Sequence, residues 1–587
     1  MLLNDPLAKV LYIDLSRRSF WIEYRQDLFE KYLGGVGVAS MLLKEECPEG
    51  IDPFDPKNPI IFAVGPLVGL FPMASKTVAM FKSPLTGNLG ESHAGGRSAA
   101  SIRLAGYGAI VIKGASDIPI YLTIYNDKVR FHDGRAIWGT RSTVAGRALR
   151  EKEPGSGIRC IMRIGVAGER LVRYACVITE TFRHFGRLGL GAVFGSKKLK
   201  AIVIAGNNTL QVKKGKIYKE AYKEIFKRIL SLSALKKYHD LGTPVNILPL
   251  NKIKALPTRN LKTAFFEEAE KISGEHFAEN HLGRRLACTH CPIACIHLAA
   301  LRQPYKDEPY FYKTTFISYD YELIYALGSM LGISDSVGIL RLLDEIEILG
   351  LDAISTGVVL AWATEAFEKG LITEKETELR PKWGDYESYI NMVRKIVTQP
   401  NDFYKTLALG VDEAAKRYGG EEFALAFGKN EMPGYHTGPG SYLGFLTGAR
   451  HSHLDSAGYS FDQKYLGKEF TSKDLAIALF KEESYRQILC SLVICLFARS
   501  VYDCQTVLRL LDIAGFTMNE KTLRQLGEEI LKNKYQFKIQ EGFSFKNLRI
   551  PKRILETISP HGQLKEDFLR EAINVYQQLL EGKIFLD

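Results

Sequence analysis

The stretch ACTHCPIACIH, residues 287–297, sets Cys288, Cys291 and Cys295 within eight residues of a 587-residue chain that has nine cysteines. Thiols this dense are a redox liability unless they share a ligand. If the site closes on the spot, the fold around it is local. If it needs a fourth thiol from far along the chain, remote segments must fold together. The other cysteines, at 47, 160, 176, 490, 495 and 504, are scattered, and the total is odd. That argues against a disulfide framework and for a metal or cluster at the dense part.

Two inorganic readings are open. Structural zinc usually takes two Cys-x2-Cys pairs or Cys and His pairs, and His290 and His297 keep that reading alive. An iron–sulfur cube takes four thiolates, and here three would be local and one distant. Cys490, Cys495 and Cys504, all in ILCSLVICLFARSVYDC, are the candidates for the distant one. A cluster carries electrons singly, so a two-electron reaction needs a second group beside it. No Walker A motif is present. The run GLGAVFG at 189–195 resembles a dinucleotide loop, but it follows ETFRHFGR rather than a hydrophobic strand. It also opens onto the strand-like SKKLKAIVI, so no Rossmann site is expected.

Upstream of the cysteines, residues 1–208 read as short strands. KVLYIDL and SFWIEY flank a turn at SRR. NPIIFAVGPL, TVAMFK, GAIVIKG, IYLTIYNDKVRFHDG, YACVITE and LKAIVIAG follow, with little helical pattern between them. From 209 the apolar spacing turns helical, in KGKIYKEAYKEIFKRILSLSALKKYH, across 323–370, and again at 475–534 and 563–582. A Gly-rich loop is expected at 433–448. The fold class is α+β, with a β-sheet domain (1–208) followed by two mainly helical domains (209–415 and 416–587).

Apolar residues are 46% and charged residues 25%, as for a globular protein with a sizeable core. No run approaches the roughly 18 apolar residues of a membrane span. The start MLLNDPLAKVLYIDL lacks a signal-peptide layout, so a cytoplasmic location is expected. The net charge of +12 admits nucleic acid or an acidic electron-transfer protein as partner. The densest basic stretch (Lys197, Lys198, Lys200, Lys213, Lys214, Lys216) is interleaved with AIVIAG rather than aromatics, and a solvated face explains it equally well.

Eight ordered blocks together resemble the tungsten-containing aldehyde:ferredoxin oxidoreductase family, and the match covers essentially the whole chain. They are GPLVG (65–69), KSPLTG (82–87), GGR (95–97), RHFGRLGLGAVFGSKKLKAI (183–202), CTHCPIAC (288–295), YELIYALGSMLGISD (321–335), GLDAISTG (350–357) and LVICLF (492–497). The resemblance implies a tungsten or molybdenum ion held by two pterins at a domain interface, a 4Fe–4S cluster nearby, and magnesium joining the pterin phosphates. It makes Cys288, Cys291, Cys295 and Cys495 the cluster ligands. Cys490 stands where the family usually has a pterin-contacting aspartate. Lys76 takes the place of an arginine bridging pterin and cluster. His93 and His184 sit where backbone carbonyls bind the magnesium, while Gly95, Gly96 and Arg183 match pterin-contacting positions. Glu347, replacing an aspartate, with Leu351, Asp352 and Ile494, fall in the two pterin-binding segments.

The same resemblance makes Glu322 the general base and His453, in RHSHLD, the active-site histidine, with His451 as a fallback because this loop is one residue short. The implied reaction is aldehyde oxidation to acid with water as oxygen source. Electrons would leave through the cluster to a ferredoxin or a small acidic iron–sulfur subunit, as a heterodimer. Some family members join two subunits through a metal on a Glu-x-x-His helix motif. Arg341 and Asp344 occupy those positions here and cannot form that site. The alternatives are a reductase of the same family acting on acyl or aromatic CoA esters and, from another class, a basic iron–sulfur or zinc protein that binds nucleic acid.

Overall fold

The computed structural model describes residues 6–584 except 154, 156, 181, 211, 213, 214, 306 and 309. Lys213 and Lys214 of the basic stretch lie outside the described residues. The chain forms two compact units. One comprises Met1–Lys236, Ala287–Ile293 and Glu483–Phe543; the other comprises Lys237–Leu286, Ala294–Glu482 and Ser544–Asp587.

The first unit is built on two six-stranded sheets. Strands β1 (Lys9–Asp14), β2 (Ser19–Tyr24), β3 (Ile60–Ala63), β4 (Thr77–Lys82), β5 (Leu89–Ala94) and β6 (Ala109–Lys113) order as β2-β1-β6-β3-β4-β5. The expected hairpin across SRR is there, with Lys9 opposite Tyr24 and Asp14 opposite Ser19. Strands β7 (Ile120–Tyr125), β8 (Lys128–Asp133), β9 (Ile158–Arg163), β10 (Val177–Thr179), β11 (His184–Phe185) and β12 (Leu199–Gly206) order as β11-β10-β9-β12-β7-β8. Phe62 of β3 packs on Phe185 of β11 and on Phe194, with ring centroids 5.3 and 6.3 Å away, so the two sheets share one core.

This region holds more helix than its strand-rich texture suggests. The helix Gly35–Glu46 buries eight of its twelve residues. Its Gly, Val, Ala and Ser make it apolar all round, so it has no polar stripe to reveal a 3.6-residue period. Gly35, at φ +39°, explains part of the long-range docking. An added Cβ would lie 2.2 Å from the Cys490 carbonyl oxygen, so only glycine lets the late segment approach this closely. The 189–195 run opens the helix Leu190–Ser196 rather than a ligand loop. A Cβ on its Gly191 or Gly195 would strike the backbone carbonyls of Cys176 or Gly168.

The second unit is mainly helical, with one three-stranded sheet in which β13 (Leu282–Leu286), β14 (Ile296–Pro304) and β15 (Tyr312–Tyr319) run antiparallel in that order. The helices Tyr321–Leu327, Ser336–Leu349 and Ala353–Glu368 fall where helical texture was read. The Gly-rich loop at 433–448 needs correcting, because Pro439–Thr447 is a fully buried helix. Pro439 is pre-shaped for its first turn. Gly440 and Gly458 meet backbone to backbone, a packing that glycine permits and that composition conceals. Asp462 accepts hydrogen bonds from Gly440 N–H at 2.7 Å and Ser441 N–H at 2.9 Å, satisfying the helix start. No single helix among the described residues is long and apolar enough to cross a membrane.

Candidate functional site

Within the first unit, backbone hydrogen bonds gather the cysteine loop and the late segment around residues 73–76. Met73 N–H donates to the His290 carbonyl at 3.0 Å, and Cys495 N–H donates to the Met73 carbonyl at 2.9 Å. Lys76 N–H donates to Val493 O at 3.1 Å, and Ala74 bridges Ile494. One peptide segment thus links Cys495 to the residue beside Cys291, across more than 200 positions. Thr289 N–H and its hydroxyl both donate to Gly96 O, at 2.9 and 3.1 Å. A Cβ on Gly95 would lie 2.8 Å from Cys288 Sγ and 3.1 Å from Lys76 Nζ, so the thiol and the ammonium share the space this glycine leaves.

Cys288, Cys291, Cys295 and Cys495 are all half-buried and free of disulfides. The other two late thiols sit differently. Cys490 is buried near the end of the helix Ser472–Ser491, and Cys504 opens the next helix behind its Asp503 cap. Among the described residues, no three His, Cys, Asp or Glu side chains converge on a single-ion site. A cube meets its thiolates at separate corners and asks for a wider arrangement than one ion does.

The remaining predicted residues of this unit line neighbouring strands. His93 on β5 and His184 on β11 lie on adjacent strands, and Arg183 O accepts from Thr179 N–H at 2.7 Å. His93 Nε2 is 2.8 Å from Glu91 Oε1, and Glu91 Oε2 pairs with Lys534 Nζ at 2.6 Å. Glu91 and Lys534 were not singled out in the sequence. Two charges about 440 residues apart that bury one another leave no local signal.

The second unit assembles a different site. Asp320 caps the helix Tyr321–Leu327, accepting from Leu323 N–H, and places Glu322 in its first turn, where negative charge is accommodated. Glu322 Oε2 accepts from Gly434 N–H at 3.0 Å, while Oε1 lies 3.4 Å from His453 Nε2. His453 is held by a capping box. Ser452 and Asp455 cap the short helix that His453 begins, and Asp455 also takes Arg450 Nε at 2.6 Å. His451, the fallback, is turned elsewhere. Its ring is buried against Gly428 and its Nδ1 lies 2.9 Å from the Phe445 carbonyl.

Tyr435 stacks on Tyr459 at 4.5 Å and lies 5.2 Å from the His453 ring and 5.1 Å from the Tyr321 ring. Burial first, then the nearby Glu322 carboxylate, holds the phenols of Tyr321 and Tyr435 well above the ordinary tyrosine range. Both are therefore neutral donors at any physiological pH. Sequence reasoning missed this aromatic wall, since nothing in the spacing of 321, 435 and 459 links them.

The pterin-segment residues of this unit lie on the turn between two helices. Gly350, at φ +83°, ends Ser336–Leu349, which carries Glu347. Leu351 is buried, and Asp352 caps Ala353–Glu368, accepting from Ile354 N–H at 3.0 Å. Ser355 Oγ stands 2.6 Å from Asp352 and 2.7 Å from the buried Glu431. Arg341 is engaged by the Tyr386 hydroxyl at 2.9 Å and by Glu387 at 2.5 Å.

Comparison with known proteins agrees along the whole chain. The model of the aldehyde ferredoxin oxidoreductase N-terminal domain matches residues 10–206, and that of domains 2 and 3 matches 220–581. The chain is 32% identical to the tungsten-containing aldehyde ferredoxin oxidoreductase of Pyrococcus furiosus, over 98% of this chain and 97% of that protein. It is also 32% identical to the Pyrococcus abyssi protein of that name, covering 96% and 94%. It is 30% identical to the WOR-like subunit of an aliphatic sulfonate oxidoreductase from Pyrococcus furiosus, over 70% of this chain and 66% of that one. Among solved structures, the active-site complex of benzoyl-coenzyme A reductase shares the fold, with a TM-score of 0.82 at 21% identity, covering 98% and 94%.

Proposed function

The chain belongs to the aldehyde ferredoxin oxidoreductase family of oxidoreductases, and from that premise we propose that it oxidises aldehydes to carboxylic acids, with water supplying the oxygen. The electrons leave through one 4Fe–4S cluster to a ferredoxin or ferredoxin-like subunit. The observation that carries this reading is the Glu322–His453 pair, a carboxylate and an imidazole 3.4 Å apart beside a neutral aromatic wall.

The family's tungsten-containing members imply a tungsten pterin group. Held here by two pterins (or replaced by molybdenum), the metal supplies a two-electron acceptor when bound. The residues present fit the cluster that accompanies it, with four thiols free of disulfides, and Gly95, whose missing side chain leaves room beside Cys288 and Lys76, fits a group lying close to that backbone. Cys288, Cys291, Cys295 and Cys495 would hold the cluster. Lys76, Gly95, Gly96, Arg183, Glu347, Leu351, Asp352 and Ile494 would hold the pterins, and the carbonyls of His93 and His184 the magnesium.

The chain's own work is proton transfer and orientation. Gly434 N–H anchors one carboxylate oxygen of Glu322, which leaves the other to take the proton of the attacking water. His453 Nε2 donates to the aldehyde oxygen and stabilises charge developing there. Tyr435 and Tyr459 keep bulk water off the imidazole. The test is elemental analysis of anaerobically purified protein, followed by aldehyde-dependent dye reduction on the same sample. Tungsten or molybdenum with turnover is expected; zinc without pterin overturns the reading. Reduction of benzoyl-CoA by the same sample, with no aldehyde turnover, would move it to the CoA-ester branch.

A further inference from the structure

Strands β13 and β14 pair at Leu286 and Ile296, so residues 287–295, with all three local cysteines, are the turn that closes this end of the sheet. The other end is an arm. β13 pairs only as far as Ala299, leaving the distal part of β14 and β15 as a two-stranded ribbon. A bare ribbon of two strands is marginal in water and gains most when something packs against it.

The two faces of this sheet differ. His297, Ala299, Leu301, Ile317 and Tyr319 are buried on one. Cross-strand register puts Arg284, Ile296, Leu298, Ser318, Arg302, Tyr312 and Phe316 on the other; toward the cysteine end Ile296, Leu298 and Ser318 are buried there too, while Arg284 and the distal Arg302, Tyr312 and Phe316 are exposed. Phe316 packs over the space at Gly283, and the Arg302 guanidinium lies 4.4 Å above the Tyr312 ring. At the tip, Tyr310 is 91% and Phe311 64% exposed. Aromatic rings with adjacent arginine, gathered and unburied, are the composition of protein–protein contact surfaces.

We propose that this face is the docking surface for the electron acceptor, a small acidic one-domain iron–sulfur protein; the proposal rests on the reading under Proposed function that electrons leave through the cysteine loop. Two observations select this occupant. Arg284 is four residues from Cys288, at most about 15 Å of chain, so the cationic end of the face adjoins the cluster loop. Asp307 and Glu308 sit at the far tip near the exposed Lys313, so among the described residues the excess of positive charge lies at the Arg284–Arg285 end, which orients a negatively charged partner toward the cysteines.

The test uses purified enzyme and an acidic low-potential bacterial ferredoxin as probe. Arg284→Glu with Arg302→Glu should raise the KM for ferredoxin about tenfold or more and flatten its salt dependence, while aldehyde-dependent viologen reduction stays unchanged. Phe316→Ser with Tyr310→Ser should weaken ferredoxin binding measured directly by calorimetry, a readout that needs no turnover. Arg302→Lys should retain most of the binding. Wild-type ferredoxin kinetics in both double variants overturns the proposal. So does a stable dimer of this chain that the Phe316→Ser and Tyr310→Ser pair dissociates, since a second copy would then cover the face. Absence of viologen reduction in the wild type would count against the functional reading instead, and the calorimetric arm would still decide the docking surface.

Discussion

The two units hold their candidate residues by opposite means. Around the cysteine loop, the long-range contacts are made by backbone: Met73 with His290 and Cys495, Lys76 N–H with Val493 O, and Gly96 O with Thr289. In the helical unit the contacts are made by side chains: Glu322 with His453, and Tyr435 with Tyr459. A backbone-built cradle tolerates a changed side chain as long as the chain path survives. A side-chain-built pair does not.

The contrast can be broken most sharply at the thiol itself. Cys495→Ser should abolish the iron–sulfur EPR signal, whereas Cys504→Ser should leave it intact. Next in size, Glu322→Gln should lower kcat/KM for aldehyde about 10²- to 10⁴-fold with tungsten and iron content unchanged, the usual weight of a positioned base. Near-normal turnover in that variant would remove Glu322 from its role.

Within the cradle, Gly95→Ala drives a methyl to 2.8 Å from Cys288 Sγ and should make iron about tenfold easier to remove by chelator. His184→Ala keeps the backbone path and should change pterin and magnesium content less than roughly twofold. If these two variants behaved alike, the distinction between backbone and side-chain construction would fail.

The smallest effect is one of stability. His436 is fully buried between the Tyr442 hydroxyl and the Thr557 carbonyl, and burial lowers its pKa to about 4. The unfolded chain binds that proton near pH 6.5 and the folded one only near 4, so stability is full above 6.5 and falls as the pH drops between these values. His436→Gln should flatten this acid loss, worth up to about 3 kcal/mol, in unfolding measured between pH 7 and 4.5.

Much of the fold was legible where local pattern carries it. The SRR hairpin, nine of the twelve strands of the two sheets and the helices of 323–370 announce themselves by apolar runs, alternation or 3.6-residue spacing, whereas β5, β9 and β11, short or interrupted by polar residues, carry no such mark. The shift of texture near 208 falls just after β12 ends at Gly206. The helices Gly35–Glu46 and Pro439–Thr447 were hidden for a shared reason. Pro439–Thr447 is buried all round and Gly35–Glu46 over its first turns, and both are rich in glycine, so neither amphipathic period nor helix propensity marks them, while close backbone packing at their glycines holds them in place. Of the site, the three clustered cysteines stood out by density alone. Cys495, Glu322 and His453 were singled out through the family resemblance rather than by spacing.

The sequence by itself determined that three thiols must share one turn, that strand-forming sequence precedes helix-forming sequence, and which family the eight ordered motifs belong to. All of these are properties of neighbouring residues or of their order. The tertiary structure alone decided that Met73 links Cys495 to the cysteine turn, that Tyr435 and Tyr459 wall in His453, and that Glu91 is neutralised by Lys534. Such partners lie tens to hundreds of positions apart. They meet because buried charges and backbone groups need complements wherever the packed chain brings them, and no local period encodes that choice.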